Sequence, residues 1–157
     1  MAYLTYIIDN YKTLPLILVF IHSHRFSPKP IQHNDARDYD TVTSIKSLQL
    51  PYVLSSGYVN LRCVHDPGCS PVHRQKHEHV TAQAWEELFG PSAAAFPAEI
   101  GVACCAQFAV SRKQVLLRPK DQYVKFRRWL VDTELDDEKS GRVFEYLWHI
   151  IFGMESV

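Results

Sequence analysis

Six apolar residues, LILVFI at 16–21, stand between Pro15 and the polar tetrad His22-Ser23-His24-Arg25. No other run constrains the fold as strongly. It is far short of the roughly 20 residues that span a bilayer. Short, branched and apolar at every position, it reads as a strand covered on both faces, the situation of a parallel sheet between two helical layers. VACCAQFAV, at 102–110 between Gly101 and Ser111, is a second segment of this kind. Its small residues imply close approach by a neighbouring element.

The surrounding pattern is helical. Leu4, Ile7, Ile8 and Tyr11 recur at helical spacing, and Pro15 marks where that helix has ended. A weak helical pattern covers 42–48, and GYVNLRC at 57–63 alternates as a short edge strand. TAQAWEELFG at 81–90 reads as a helix capped by Thr81 and stopped by Gly90. Then come a short helix over SRKQVLL, an amphipathic helix after Pro119 with Tyr123, Phe126 and Leu130 on one face, and a closing helix from Ser140 to Gly153. Segments 27–40 and 64–79 hold prolines and little periodicity, and read as long surface loops. Helices alternating with buried strands predict one α/β domain over 1–157, a mostly parallel central sheet with helices on both faces, as in an incomplete doubly wound sheet.

Charge excludes some function classes. Lys plus Arg and Asp plus Glu are both 17 in 157 residues, so no global field draws the chain to nucleic acid or an anionic membrane. Asp9 and Lys12 interrupt the first apolar stretch, and no small-residue cleavage site follows it. No secretory signal is expected, and a soluble, cytoplasmic chain is the default expectation.

Two polar clusters sit in apolar surroundings, where charge or imidazole needs partners. His22, His24 and Arg25 follow the first strand. In open α/β sheets ligands lie beyond the carboxyl ends of strands. Imidazoles there bind metal or move protons, and Arg25 would grip an anion; the alternative is that these groups only cap the strand. Arg142, Glu145 and His149 share one face of the closing helix. Toward a crevice, Glu145 would act as base or ligand with His149; toward solvent, the stripe is an ion pair worth about 0.3–0.5 kcal/mol.

Cysteines and acids add weaker signals. Cys63 and Cys69 bracket RCVHDPGC, with His65 and His73 nearby, which allows either a zinc site or a small disulfide loop. Cys104 and Cys105 are adjacent, so a strand would point them to opposite faces as packing residues. His73, His77 and His79 read as a solvated loop. Asp38 and Asp40 form a D-x-D pair of the sort that holds a divalent metal in sugar-nucleotide enzymes.

The runs YLTYIIDNY, VFIHSHR, GYVNLRC with PGC, CCAQFAVSR and SGRVFEYLWHIIFG resemble, in that order, the fungal-rich family catalogued as domain of unknown function 3431. That resemblance covers nearly the whole chain and implies no activity. A remoter likeness, in the order helix, LP, buried strand and polar triplet, is to GT-A type glycosyltransferases, in which two acids of the triplet hold a metal and the sugar diphosphate. It implies a GT-A-like sheet, a nucleotide-sugar or other small-molecule substrate, and His22 and His24 in place of those acids. Glu145, His149 and His24 would then be catalytic, with His22, Arg25, Gln107, Arg112 and Arg142 binding substrate. The metal candidates are His22, His24, Asp38 and Asp40, and imidazoles suit a divalent ion softer than Mg²⁺. Family members carry a further stretch before YLTYIIDNY, so an N-terminal strand is expected to be missing. Two other expectations stand beside transfer: an inactive α/β domain acting through protein contacts, and a zinc-stabilised module on Cys63, Cys69 and nearby histidines. The oligomeric state is left open.

Overall fold

The computed structural model describes residues 1–26, 33–63, 71–91 and 95–156, with only the backbone considered over 71–79. Helix α1 (Ala2–Asp9) buries Leu4, Ile7 and Ile8, the spacing of a single helical face. It leads past Pro15 into β1 (Ile17–Phe20). The chain comes back through an isolated bridge between Phe26 and Asp40. The Asp40 carboxylate accepts from the Val42 N–H at 3.0 Å and so caps α2 (Thr41–Lys46). Helix α3 (Leu50–Ser56) carries Pro51 in its first turn and ends at Gly57, which delivers the chain into β2 (Tyr58–Asn60). After α4 (Pro71–Phe89) come β3 (Phe108–Ser111), α5 (Arg112–Leu116), α6 (Lys120–Asp132) and α7 (Asp137–Ile151).

The sheet overturns the expected fold class. Its order is β1-β3-β2, and both pairings are antiparallel: Ile17 faces Ser111 and Phe20 faces Phe108, while Tyr58 faces Val110 and Asn60 faces Phe108. Among the described residues the protein is helix-rich with one small antiparallel sheet, not a mostly parallel, GT-A-like or doubly wound one. An apolar run says nothing of which way its neighbour runs, and in β1 the expected cover on both faces is absent, since only alternate residues are buried. Here β3 is buried at all four positions because it is central and covered on both faces, whereas β1, at the edge, buries only Leu18 and Phe20.

Three local expectations also change. The strand expected over 102–110 begins only at Phe108, because Cys104–Ala106 form a single 3-10 turn with φ of 84° at Cys105 and 48° at Ala106. Helix α4 starts at Pro71, so 71–79 is helical and not a loop. Helix α3 lies where no element was expected.

Packing centres on Phe108, which is fully buried. Its ring meets Tyr58 at 5.1 Å, Phe20 at 5.2 Å, Trp148 and Phe152 at 5.4 Å and Tyr3 at 5.9 Å between centroids. Edge-to-face and tilted contacts of this kind add to simple burial. Helix α7 presses Val143, Phe144, Leu147, Trp148 and Ile151 into the same core, each contributing roughly 1.5–3 kcal/mol. Phe89 and Phe126 tie α4 to α6 at 5.6 Å.

Gly57 is needed where it stands. Its φ is +85°, and a Cβ there would sit 2.5 Å from Oε1 and 3.0 Å from Cδ of Gln114. Gln114 cannot swing away freely, since its Nε2 donates to the Phe152 carbonyl at 2.5 Å. Gly57→Ala is therefore expected to cost about 2 kcal/mol, from left-handed strain and the displaced side chain together. Thermal unfolding should show a melting temperature lower by roughly 4–8 °C; an unchanged midpoint would contradict this account of the turn.

Candidate functional site

The carboxyl end of β1 is where the imidazoles gather. His22 and His24 follow β1 on either side of a bend at Ser23, their ring centroids 5.6 Å apart. His33 returns to meet them: its Nδ1 lies 3.0 Å from His22 Nδ1 and 3.1 Å from His24 Nε2. The ring centroids lie within 5.6 Å of one another. All three rings are half-buried.

One glutamine holds the backbones of two of these residues together. Gln107, buried just before β3, accepts from the His22 N–H at 2.9 Å and donates to the His33 carbonyl at 2.5 Å. Asn34 then fixes the segment behind His33, donating to the Tyr39 carbonyl at 3.0 Å and the Thr41 hydroxyl at 3.3 Å. Asp35 continues the clamp, accepting from the Cys63 N–H at 2.6 Å and facing the Arg62 guanidinium at 3.5 Å.

Electrostatics favour the neutral form of two of the rings, His22 and His33. Burial, the neighbouring rings of His22 and His24, and the Arg62 charge push His33 down to about 4. His22 is lowered by burial first and His24 second; the Glu145 carboxylate and a hydrogen bond from its ring to the Cys105 backbone carbonyl oppose this. Neutral imidazole is the form that ligates a metal ion.

Beside the imidazoles lies the Cys104–Ala106 turn. Cys104 and Cys105 are joined by a disulfide, and the buried Arg62 places Nη1 at 3.1 Å and 3.5 Å from the two sulfurs. Glu145 reaches from α7 to hold the turn, its Oε1 accepting from the Cys105 N–H at 2.5 Å and its Oε2 from Arg142. Glu145, the cysteine pair and His22 thus share one neighbourhood. Among the described residues, two groups of side chains could converge on a cation: His22, His24 and His33, and Cys104, Cys105 and Glu145.

The other expected site residues lie elsewhere or are otherwise engaged. Arg25 makes a two-pronged contact with Asp40, both at 3.2 Å, and stacks over Phe26 at 5.0 Å. Asp40 is the α2 cap, and Asp38 is exposed beside Arg37 at 3.9 Å. Arg112 donates to the Leu14 carbonyl at 3.3 Å, at the opposite end of the sheet and roughly 16 Å of strand from Gln107. Cys63 is an exposed free thiol; Cys69 and His65 lie outside the described residues, as do the side chains of His73, His77 and His79. His33, Arg62 and the Cys104–Cys105 turn are what sequence reasoning passed over. The histidine count offered a signal, but the eight residues between His24 and His33 match no familiar ligand spacing. Surface cavities among the described residues lie apart from this cluster, one of about 490 Å³ lined by residues such as Gln83, Trp129 and Glu134, and an apolar groove of about 390 Å³ along β1 and Tyr6.

His149 is enclosed rather than presented. It is buried near the segment 154–156, and neither ring nitrogen has a well-formed hydrogen bond among the described residues. Its pKa is pushed from 6.5 down to about 4 by burial, against a weaker pull from the Ser156 backbone. The unfolded chain then binds a proton below about pH 6.5 that the folded chain refuses until about pH 4. The stability this group contributes is complete above pH 6.5 and lost as the pH falls toward 4, about 3 kcal/mol in all. His149→Leu should flatten the acid limb of a urea-unfolding pH series by that order while holding or raising stability at pH 7; an unchanged acid limb would refute this. His33 titrates in the same window, so the comparison is between variant and parent.

These features define a helix-rich protein with a small antiparallel sheet whose end carries an imidazole-rich polar cluster. No helix of the described residues is long and apolar enough to cross a membrane. The chain belongs to the family described as Protein of unknown function (DUF3431), whose model matches residues 1–157. No curated protein and no solved structure matches it.

Proposed function

We propose that this protein binds one transition-metal ion of the zinc type through His22, His24 and His33. The spacing of the ring nitrogens carries this reading, with His33 Nδ1 at 3.0 Å and 3.1 Å from its two neighbours. A tetrahedral ion with bonds of about 2.0–2.1 Å sets its ligands about 3.3 Å apart, close to what the rings already adopt. Mutual hydrogen bonding explains the cluster less well. One lone pair on His33 Nδ1 accepts one N–H, whereas a cation engages all three nitrogens at once. Neutral nitrogen ligands suit zinc or copper and not magnesium or calcium.

The supporting groups have the form expected around a ligating histidine. Gln107 fixes the backbones of His22 and His33; such contacts orient imidazoles toward an ion. Three protein ligands leave a position open, the arrangement of reactive rather than purely structural zinc. An ion there would supply Lewis acidity to a bound water or substrate oxygen. Glu145, held by Arg142 and Cys105, would act by its charge and as an anchor rather than as a free base. Sugar transfer from a nucleotide donor has only the placement of His22 and His24 after a strand in its favour, and the antiparallel sheet removes the crevice on which that idea relied.

Zinc uptake tests the proposal. Protein stripped with a chelator and titrated against a chromophoric zinc indicator should take up one ion per chain, with micromolar or tighter affinity. Uptake no greater than that of a chain with all three histidines changed to alanine would overturn it.

A further inference from the structure

The Cys104–Cys105 turn carries a second proposal that stands apart from the three-imidazole reading. We propose that Cys104 and Cys105 form a reducible disulfide whose opened form is a dithiol site for a thiophilic ion. Three independent observations support it. First, the turn holds two successive non-glycine residues at positive φ, 84° and 48°, a backbone that neighbouring packing must enforce. The ring closed by adjacent cysteines and the Glu145 carboxylate on the Cys105 N–H do so. Second, Arg62, only 5% exposed, points one nitrogen at both sulfurs. A bridged sulfur is a weak acceptor, and a buried cation favours the electron-rich reduced sulfur over it. Third, the two sulfurs lie within 4.8 Å of each other and of a Glu145 oxygen, so the opened turn presents two convergent soft ligands. Cys105 is partly exposed while Cys104 is buried, which gives a reductant one sulfur to attack.

The chemistry balances with a small dithiol as reductant. Its two thiols supply two electrons and two protons; the Cys104–Cys105 bond breaks, each cysteine gains a hydrogen, and the reductant closes its own disulfide. An arsenic(III) oxide compound then condenses with the pair. Two S–H bonds break, two S–As bonds form, and the oxygen leaves as water.

Phenylarsine oxide is the probe. The test uses the full chain with Cys63→Ser and Cys69→Ser, freed of metal by a chelator, so that neither other cysteine nor the histidine site contributes. After reduction and removal of the dithiol, intact-mass measurement should show one arsenical per chain. The same chain kept in oxidised glutathione should be lighter by two hydrogens and take up none. Adding Cys104→Ser or Cys105→Ser should abolish capture, with circular dichroism confirming the fold. Arg62→Met should shift the thiol-to-disulfide ratio in glutathione buffers about tenfold toward the disulfide. A reduced chain that captures no arsenical, or one that never loses two hydrogens on oxidation, overturns the proposal. An unshifted ratio in Arg62→Met overturns the role given to Arg62. Zinc binding by the imidazoles is unaffected by either result.

Discussion

His33→Ala is expected to weaken zinc binding at least a hundredfold, the largest functional effect of any single change in this protein. Losing an outer-shell partner of a metal site typically costs 10–100-fold, and His33 is the ring on which the other two converge, at 3.0 Å and 3.1 Å. Gln107→Ala should fall within that smaller range, because it loosens the backbones of His22 and His33 without removing a ligand. Stability and affinity must be separated in reading these variants. His33 is half-buried with a depressed pKa, so alanine there is not expected to unfold the chain, and circular dichroism with a thermal melt checks this. A competition titration against a chromophoric chelator then reads affinity. His33→Ala binding zinc as tightly as the parent would show that the rings meet for another reason.

Phe108→Ala should produce the largest loss of stability, about 3–5 kcal/mol. The ring is fully buried, and five other aromatic rings pack on it. Deleting it opens a void that α1, α7 and both edge strands cannot all close, since they are braced against one another through it. Set against the 5–15 kcal/mol that usually separates folded from unfolded states, a loss of that size would lower the melting temperature by roughly 10 °C. Leu117, 67% exposed, is the matched control, and Leu117→Ala should stay within about 0.5 kcal/mol of the parent. A cost below about 1 kcal/mol for Phe108→Ala would show that the sheet and α7 are not joined there. The same change should weaken zinc binding indirectly, because Phe108 follows Gln107 directly in the chain.

Local elements were legible wherever one face of a segment is buried and nothing distant intervenes. The 3.6-residue pattern of Leu4, Ile7 and Ile8, and that of Tyr123 and Phe126, matches α1 and α6. Gly90 ends α4 with φ of 86°, as its lack of a Cβ allows. The apolar run 16–21 does contain β1. Its partner could not be read, because the alternation of side chains is the same beside a parallel or an antiparallel neighbour. The start of α4 was missed for a different reason: its charged first half, from Pro71, has no apolar face, so periodicity had nothing to report there.

The candidate site was legible in part. Two histidines after an apolar strand are a physical anomaly, and both lie in the cluster. Glu145 is in the same neighbourhood, through its hold on Cys105. Gln107 and Arg112, both expected to bind substrate, stand at the two ends of β3, and Arg112 falls at the end far from the imidazoles. Cys104 and Cys105 read as packing residues only on the premise of a strand, which the positive φ at Cys105 and Ala106 removes.

By itself the sequence determined that α1, β1, β2, α6 and α7 could form, which faces of α1 and α6 are buried, and that imidazoles follow the first strand, because each of these depends on spacing within a dozen residues. The direction of the sheet, the arrival of His33 beside His22 and His24, and the placing of Arg62 on the cysteine pair were decided by tertiary structure alone. Each joins residues far apart in the chain through contacts such as those of Gln107 and Asp35. Such contacts form only once Phe108 and α7 have fixed the core, and no local pattern encodes them.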